Sequence, residues 1–149
     1  MGQELLAQVD GPIDAICGCV GTAGMIVGVG RVVREAHPEA QVVALEPESS
    51  AVLSGRPPGA HGIDGTAAGF IPPLFNRDVV TSVRALPEQD GRAMARRLAR
   101  EEGVFAGTST GMNVMAALQL AQELGPESTV VTVACDTGFK YLQEDLFRG

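Results

Sequence analysis

The chain has 149 residues, 45% of them hydrophobic, and a formal net charge of −7. That length fits one domain with a core of its own. The acidic balance argues against a nucleic-acid partner, since binders of phosphate backbones show clustered Lys and Arg. No apolar run approaches the roughly 20 residues of a membrane span. Residues 1–10 show no basic stretch followed by an apolar one, so no signal peptide is expected. The three cysteines, Cys17, Cys19 and Cys135, are too few and too oddly numbered for a disulfide framework, which fits a reducing, cytoplasmic setting.

Taken in chain order, residues 13–20 form a short apolar run and predict a buried strand. A Gly-containing turn follows, then a helix over about 24–36, closed by Pro38. Residues 41–45, Q-V-V-A-L, predict a second strand. Residues 46–76 are irregular and rich in Gly and Pro, long enough to suggest a functional loop. Residues 78–83 predict a third strand. Pro87 opens a helix to about residue 102, with Glu88 and Asp90 in its first turn. Residues 104–106 read as a short strand, 110–124 as a helix with an apolar face and 129–134 as the last strand. Residues 141–149 form a short helix or a tail. Strands alternating with helices predict an α/β fold: a three-layer domain with a mostly parallel twisted sheet flanked by helices.

Three polar turns follow predicted strands. Gly21, Thr22, Ala23, Gly24 and Met25 lead into a helix, where free N–H groups and the helix dipole favour an anion. No Walker lysine follows, and Gly28 and Gly30 fall inside the helix, where close packing explains them. Gly107, Thr108, Ser109, Thr110 and Gly111 also join a strand to a helix. Ser109 and Thr110 suit helix capping, or one hydroxyl faces a ligand at the carboxyl end of the sheet. Cys135, Asp136, Thr137 and Gly138 follow the last strand, with Asp136 suited to an Asx-type turn.

Four stretches, in order, carry a resemblance. D-A-I-C-G-C-V-G-T-A-G-M-I-V-G-V-G-R resembles the segment ending in G-T-G-G-T of the cysteine synthase (O-acetylserine sulfhydrylase) family of fold-type II pyridoxal-phosphate enzymes. H-G-I-D-G-T-A-A-G-F-I-P is similar to that family's H-x-I-x-G-x-G-A-G-F-I-P. A-R-R-L-A-R-E-E-G-V-F-A-G-T-S-T-G is similar to its A-R-R-L-A-x-E-E-G-x-x-x-G-I-S-S-G, and V-A-C-D-T-G-F-K-Y-L to its closing D-S-G-x-x-Y-L. The resemblance implies that residues 1–149 are a carboxy-terminal domain for the phosphate of pyridoxal 5'-phosphate. It places Gly21, Thr22, Ala23, Gly24 and Met25 at that phosphate and Ser109 at the pyridine nitrogen. Gly65, Thr66, Ala67, Ala68 and Gly69 would border the cavity of a small-molecule amino-acid substrate. The family departs here at Ala23 and Ala67, which replace glycines, at Met25, which replaces a threonine, and at Thr66, which replaces an isoleucine.

The implied activity is β-replacement, making cysteine or a related amino acid from an activated serine and sulfide. The complete enzyme would be a homodimer. The family's Schiff-base lysine, its cofactor-side asparagine and its T-S-G-N-T loop belong to an amino-terminal half that this sequence does not contain. No catalytic residue is therefore expected in this chain, which would be inactive alone. Lys140 is the only lysine, and it falls in the closing motif as a solvated surface residue. Two other readings remain at this level. One is a non-catalytic phosphate- or cofactor-binding module, or a subunit completed by a separate chain. The other is a different fold-type II enzyme, such as a threonine dehydratase, serine racemase or cystathionine synthase.

Cys17 and Cys19 share one side of a strand; without further ligands at suitable spacing they read as small buried apolar residues rather than a metal site. His37 suits a helix carboxyl end, and His61 reads as structural within its loop. Arg92, Arg96, Arg97 and Arg100 read as a solvated helix face.

Overall fold

The computed structural model describes residues 1–148. A four-stranded, all-parallel sheet has the order β3-β2-β1-β4, built from β1 (Ala15–Cys19), β2 (Gln41–Pro47), β3 (Ser82–Leu86) and β4 (Val130–Val131). Helices α1 (Gly2–Gln8) and α2 (Gly24–Ala36) cover one face, and α3 (Glu88–Arg97) and α4 (Thr108–Leu124) cover the other. The expected three-layer α/β architecture is present.

Strand alternation divides the core. Ile16, Val42 and Ala44 pack toward α2, with Ile26, Val29 and Val33. Ala15, Cys17, Val43 and Leu45 pack toward α4, with Met112, Met115 and Leu120. Because both faces are covered, β1 and β2 read as continuous apolar runs rather than alternating ones. Gly30 lets α2 lie against β2: a methyl there would sit 2.7 Å from Val42 Cγ1, whereas Gly28 has nothing within 4 Å. Close packing thus explains one of the two helical glycines.

Several boundaries differ from the sequence reading. The third strand begins four residues later than expected, because residues 76–80 turn: Val80 N–H donates to Asn76 O at 3.0 Å and Asp78 N–H to Asn76 Oδ1 at 2.7 Å. Residues 104–106 contribute one antiparallel bridge, Ala106 to Thr137, and no strand. The run 129–134 pairs over Val130–Val131 alone; beyond it, Asn113 and Thr110 side chains replace ladder partners. Pro87 caps α3 from outside, and the last turn of that helix widens into a π-helical turn, Leu98–Glu102. Helix α4 starts at Thr108 with Gly107 as its cap, so neither Ser109 nor Thr110 caps it.

The carboxy-terminal segment is clamped. Arg92 pairs with Asp145, and Arg96 donates to Leu146 O at 3.2 Å. These two arginines tie down a chain end rather than form a solvated face; Arg97 pairs with Glu101 on the exposed side. Tyr141, fully buried, ends a 3-10 turn, Gly138–Tyr141, and donates its hydroxyl to Asp136 Oδ2 at 2.7 Å. Asp136 therefore holds the tyrosine instead of making an Asx turn, and Thr137 accepts the turn's bond from Phe139 N–H.

Burial, with the Asp136 hydrogen bond second, pushes the Tyr141 phenol up to about 12. The unfolded value is about 10. A raised folded pKa contributes stability that is complete below pH ~10 and is lost as pH rises toward 12. Tyr141 is the single tyrosine, so tyrosinate absorbance reads it alone. Alkaline titration should show ionisation delayed toward pH 12 in the folded chain and near 10 in urea. Urea midpoints should fall across the same window.

Candidate functional site

The chain leaves β1 toward β2 on one side and returns as β4 on the other. In an open parallel sheet, the carboxyl ends at such a switch point leave a crevice for ligands. A cavity of about 340 Å³ lies there, lined by residues 21–26, Cys19, Gly65, Val133, Cys135 and Met1. An apolar hollow of about 550 Å³ adjoins it, sharing Gly21, Thr22 and Gly65 and extending to Phe70, Pro72 and Leu74.

The 21–25 turn opens α2. Ala23 takes the left-handed conformation, φ 67°, and precedes the first helical residue, Gly24. The first N–H groups of a helix have no intrahelical acceptor; here they face the crevice end of the sheet, and among the described residues only Gly24 N–H has a local contact, 3.4 Å from Thr22 Oγ1. Met25 turns its thioether into the space over Gly18, where an added methyl would collide with the Met25 methyl. The glycine in β1 thereby accommodates the large residue in the turn.

The 65–69 loop touches the turn backbone to backbone. Ala67 N–H donates to Val20 O at 2.9 Å. A methyl on Gly21 would collide with the Gly65 carbonyl oxygen. The loop is fixed from behind: His61 Nε2 lies 3.2 Å from Ala67 O, Thr66 Oγ1 donates to Ile63 O at 2.9 Å, and Gly62 N–H donates to Glu88 Oε2 at 2.8 Å. His61 is structural, as expected. Lys140 reaches Asp64 at 2.9 Å and Asp136 at 3.6 Å, bridging this loop to the last turn. The Asp64 bond, foremost, holds the ammonium protonated far above its ordinary range.

The first turn of α4 abuts two residues that line the cavity, Cys19 and Cys135. Thr110 Oγ1 accepts from Cys135 N–H at 3.0 Å, so its hydroxyl serves the fold. Ser109 is 4% exposed; in this turn the hydroxyl that is buried without a partner among the described residues is that of Thr108. Asn113, one turn on, is fully buried. Its Oδ1 accepts from Cys19 N–H at 2.8 Å, and its Nδ2 donates to Val133 O at 2.9 Å and to Cys135 Sγ at 3.4 Å. Sequence reasoning passed over Asn113. The available signal was a lone amide on the apolar face of a helix, which must find partners when buried.

Cys17 and Cys19 do lie on the same side of β1, toward α4: Cys17 Sγ donates to Asn113 O at 3.5 Å and Cys19 Sγ to Ser109 O at 3.8 Å. Burial pushes the Cys17 thiol up to about 11 and the Cys19 thiol higher still. No cluster of three metal-ligating side chains exists among the described residues. No helix among them is long and apolar enough to cross a membrane.

The profile of the family described as "Pyridoxal-phosphate dependent enzyme" matches residues 1–136. The chain belongs to this family of pyridoxal-phosphate-dependent enzymes. A cysteine synthase of Staphylococcus aureus (strain N315) is 45% identical over 147 residues, covering 98% of this chain and 47% of the relative. The crystal structure of O-acetylserine sulfhydrylase isoform 3 from Entamoeba histolytica superposes with a TM-score of 0.92 at 36% identity, covering 99% of this chain and 44% of that one. O-ureido-L-serine synthase superposes with a TM-score of 0.91 at 41% identity, covering 99% and 47%. The chain thus spans about half the length of the curated relatives it matches, and corresponds to their carboxy-terminal half.

Within this pyridoxal-phosphate family member, the two departures from motif glycines have a physical signature. Ala23 and Ala67 are the two non-glycine residues with positive φ among the described residues, at 67° and 43°. A Cβ in the left-handed region costs about 1–2 kcal/mol. Both loops carry that strain where they meet.

Two outcomes follow from this contact. Ala67→Gly should raise the unfolding free energy by about 0.5–1 kcal/mol in urea titration, since relief of strain exceeds the added unfolded-state entropy of ~0.4–1 kcal/mol. Gly21→Ala should lower it by about 1–3 kcal/mol through overpacking. It should also speed hydrogen exchange at the Ala67 amide, while exchange in β2 is affected only through global stability.

Proposed function

We propose that this chain is the cofactor-phosphate half of a pyridoxal-phosphate-dependent β-replacement enzyme. The complete enzyme would make cysteine, or a related amino acid, from an activated serine and sulfide. One observation carries the reading: the turn at the amino terminus of α2 and the segment past β4, Val133 and Cys135, line a single switch-point cavity, and the first turn of α4 abuts two of its lining residues, through Ser109 O at Cys19 Sγ and Thr110 Oγ1 at Cys135 N–H.

The residues present fit the cofactor. The helix-start N–H groups and the glycines of the 21–25 turn would hold the phosphate, with Thr22 adding a hydroxyl donor. Backbone donors suffice where Met25 supplies no hydroxyl. Ser109 would meet the pyridine nitrogen, because Thr110 is already bonded to Cys135 N–H. A neutral hydroxyl does not force that nitrogen to stay protonated, as a carboxylate would. The bound cofactor withdraws electrons from the amino acid's α-carbon and so loosens the bond to a leaving group on the β-carbon. The 65–69 loop would border the substrate; its bonds to Val20 and His61, and the Glu88 bond to Gly62 just before it, keep it in place.

Lys140 is unsuited to hold the cofactor covalently. A Schiff-base amine acts when desolvated and deprotonated, whereas Lys140 is exposed and paired with Asp64 and Asp136. The reading therefore requires an amino-terminal half carrying the reactive lysine. That half is also the proposed cover of exposed Phe70, Ile71 and Leu74. The complete enzyme is proposed to be a cytoplasmic homodimer.

Borohydride reduction of the isolated chain with the cofactor, followed by peptide mapping, should give sub-stoichiometric surface labelling. No cysteine should form from an activated serine and sulfide above the free-cofactor background. Co-expression with the amino-terminal half of a related cysteine synthase should restore turnover. In that complex Ser109→Ala should shift the cofactor absorbance and lower turnover by roughly tenfold, the worth of one hydrogen bond, while Thr110→Ala leaves the absorbance in place. Stoichiometric Lys140 labelling with saturable turnover by the chain alone would overturn the reading.

A further inference from the structure

Two of the three thiols open onto the same cavity. Cys19, at the end of β1, and Cys135, just past β4, both line it, and both are held by Asn113, one through its backbone N–H and the other through sulfur. The register explains the approach. β1 and β4 pair in parallel, Ile16 with Val131, and Thr132 Oγ1 still donates to Cys17 O at 2.8 Å. Beyond Val131 the side chains of Asn113 and Thr110 hold Val133 and Cys135 at the carboxyl end of β1, and the same Asn113 amide binds Cys19 N–H and Cys135 Sγ. Past β4 the chain leaves the pleat, and the Cys135 sulfur turns toward α4, the side on which Cys19 Sγ contacts Ser109 O.

We propose that Cys19 and Cys135 form an oxidisable dithiol at the mouth of this cavity, closed to an intramolecular disulfide by a hydroperoxide. Cys135 is exposed and Cys17 fully buried, so Cys135 meets the oxidant first. Its thiolate attacks the peroxide, the O–O bond breaks, and a sulfenic acid and hydroxide form. The Cys19 sulfur then displaces the sulfenic oxygen, which leaves as water with the Cys19 thiol proton. The sum is two thiols and one hydrogen peroxide to one disulfide and two waters. Burial and the neighbouring thiols keep Cys19 protonated until that second step. Cys17 is not the partner: its thiol lies deep in the core, bonded to Asn113 O.

The link would bear on the 21–25 turn, which begins two residues after Cys19; this consequence rests on the phosphate role proposed above. Pulling Cys19 toward Cys135 strains the Cys19 N–H bond to Asn113 and moves the turn that leads into α2.

The test uses the reduced, folded 149-residue chain, exposed to a small excess of hydrogen peroxide, quenched with an alkylating reagent and mapped without reduction. The expected product is a Cys19–Cys135 cross-linked peptide lacking two hydrogens, reversed by dithiothreitol, with Cys17 alkylated only after unfolding. Cys19→Ser should stop at a Cys135 sulfenic acid trapped by a 1,3-diketone; Cys19→Ala serves if the serine variant melts early. Cys135→Ser should leave Cys19 reduced. Cys135 sulfenic acid persisting in the unaltered chain beside reduced Cys19, or a Cys135–Cys135 link between chains, would overturn the dithiol. In a second arm, phosphate-loop binding is read by titration with pyridoxal 5'-phosphate, and the oxidised chain should bind at least about tenfold more weakly. A disulfide that forms with affinity unchanged supports the dithiol and overturns its coupling to the turn. A disulfide that forms while neither state binds supports the dithiol and counts against the phosphate reading.

Discussion

The buried Asn113 amide is the interaction on which the crevice depends. It satisfies the N–H of Cys19 at the end of β1 and the carbonyl of Val133 beyond β4, with a further bond to the Cys135 thiol. An unpartnered buried amide would cost roughly 1–3 kcal/mol, so each partner is fixed by the others. β4 pairs over only two residues. What continues the sheet past Val131 is side chains reaching from α4: Asn113 to Val133 and Thr110 to Cys135. The helix that presents Ser109 is therefore the same helix that spaces β1 from the last strand.

From that spacing the loops follow. Parallel strands delivered to one edge bring their connecting turns to the same side, and here they come into backbone contact, Gly21 against Gly65 and Val20 against Ala67. Contact this close leaves no room for a side chain at Gly21 and holds two alanines in the left-handed region. The outer supports are polar and longer-ranged. Glu88 holds Gly62, Lys140 holds Asp64, and Arg92 with Arg96 draws the carboxy-terminal segment onto α3. The loop bordering the cavity is thus tied to α3 and to the chain end at once, although neither lines the cavity itself.

Much of this was legible in the chain. Continuous apolar runs at 13–20 and 41–45 could only be strands covered on both faces, and the all-parallel sheet bears this out. The helix over 24–36 was read to the residue, since a glycine turn and Pro38 punctuate it. The runs at 78–83, 104–106 and 129–134 were misjudged for one reason. β-propensity marks residues that suit an extended chain, but pairing needs a neighbour; 76–80 found a turn, 104–106 a single bridge, and 132–135 the side chains of α4. Arg92 and Arg96 looked like solvated charge because their acceptors, Asp145 and Leu146 O, lie some fifty residues away in sequence.

The sequence by itself determined the layer order, the Gly-rich turn at the head of α2 and the four motifs that mark the family, because periodicity, glycine placement and helix signals act over a few neighbouring residues. Only the tertiary structure decided that Thr110 gives its hydroxyl to the Cys135 N–H, that Ala23 and Ala67 carry the strain of two touching loops, and that Cys19 and Cys135 share a cavity. The first and last of these depend on where the chain past β4 lies beside β1, a spacing held by one buried amide between segments more than ninety residues apart, and the second on the contact of the 21–25 turn with the 65–69 loop.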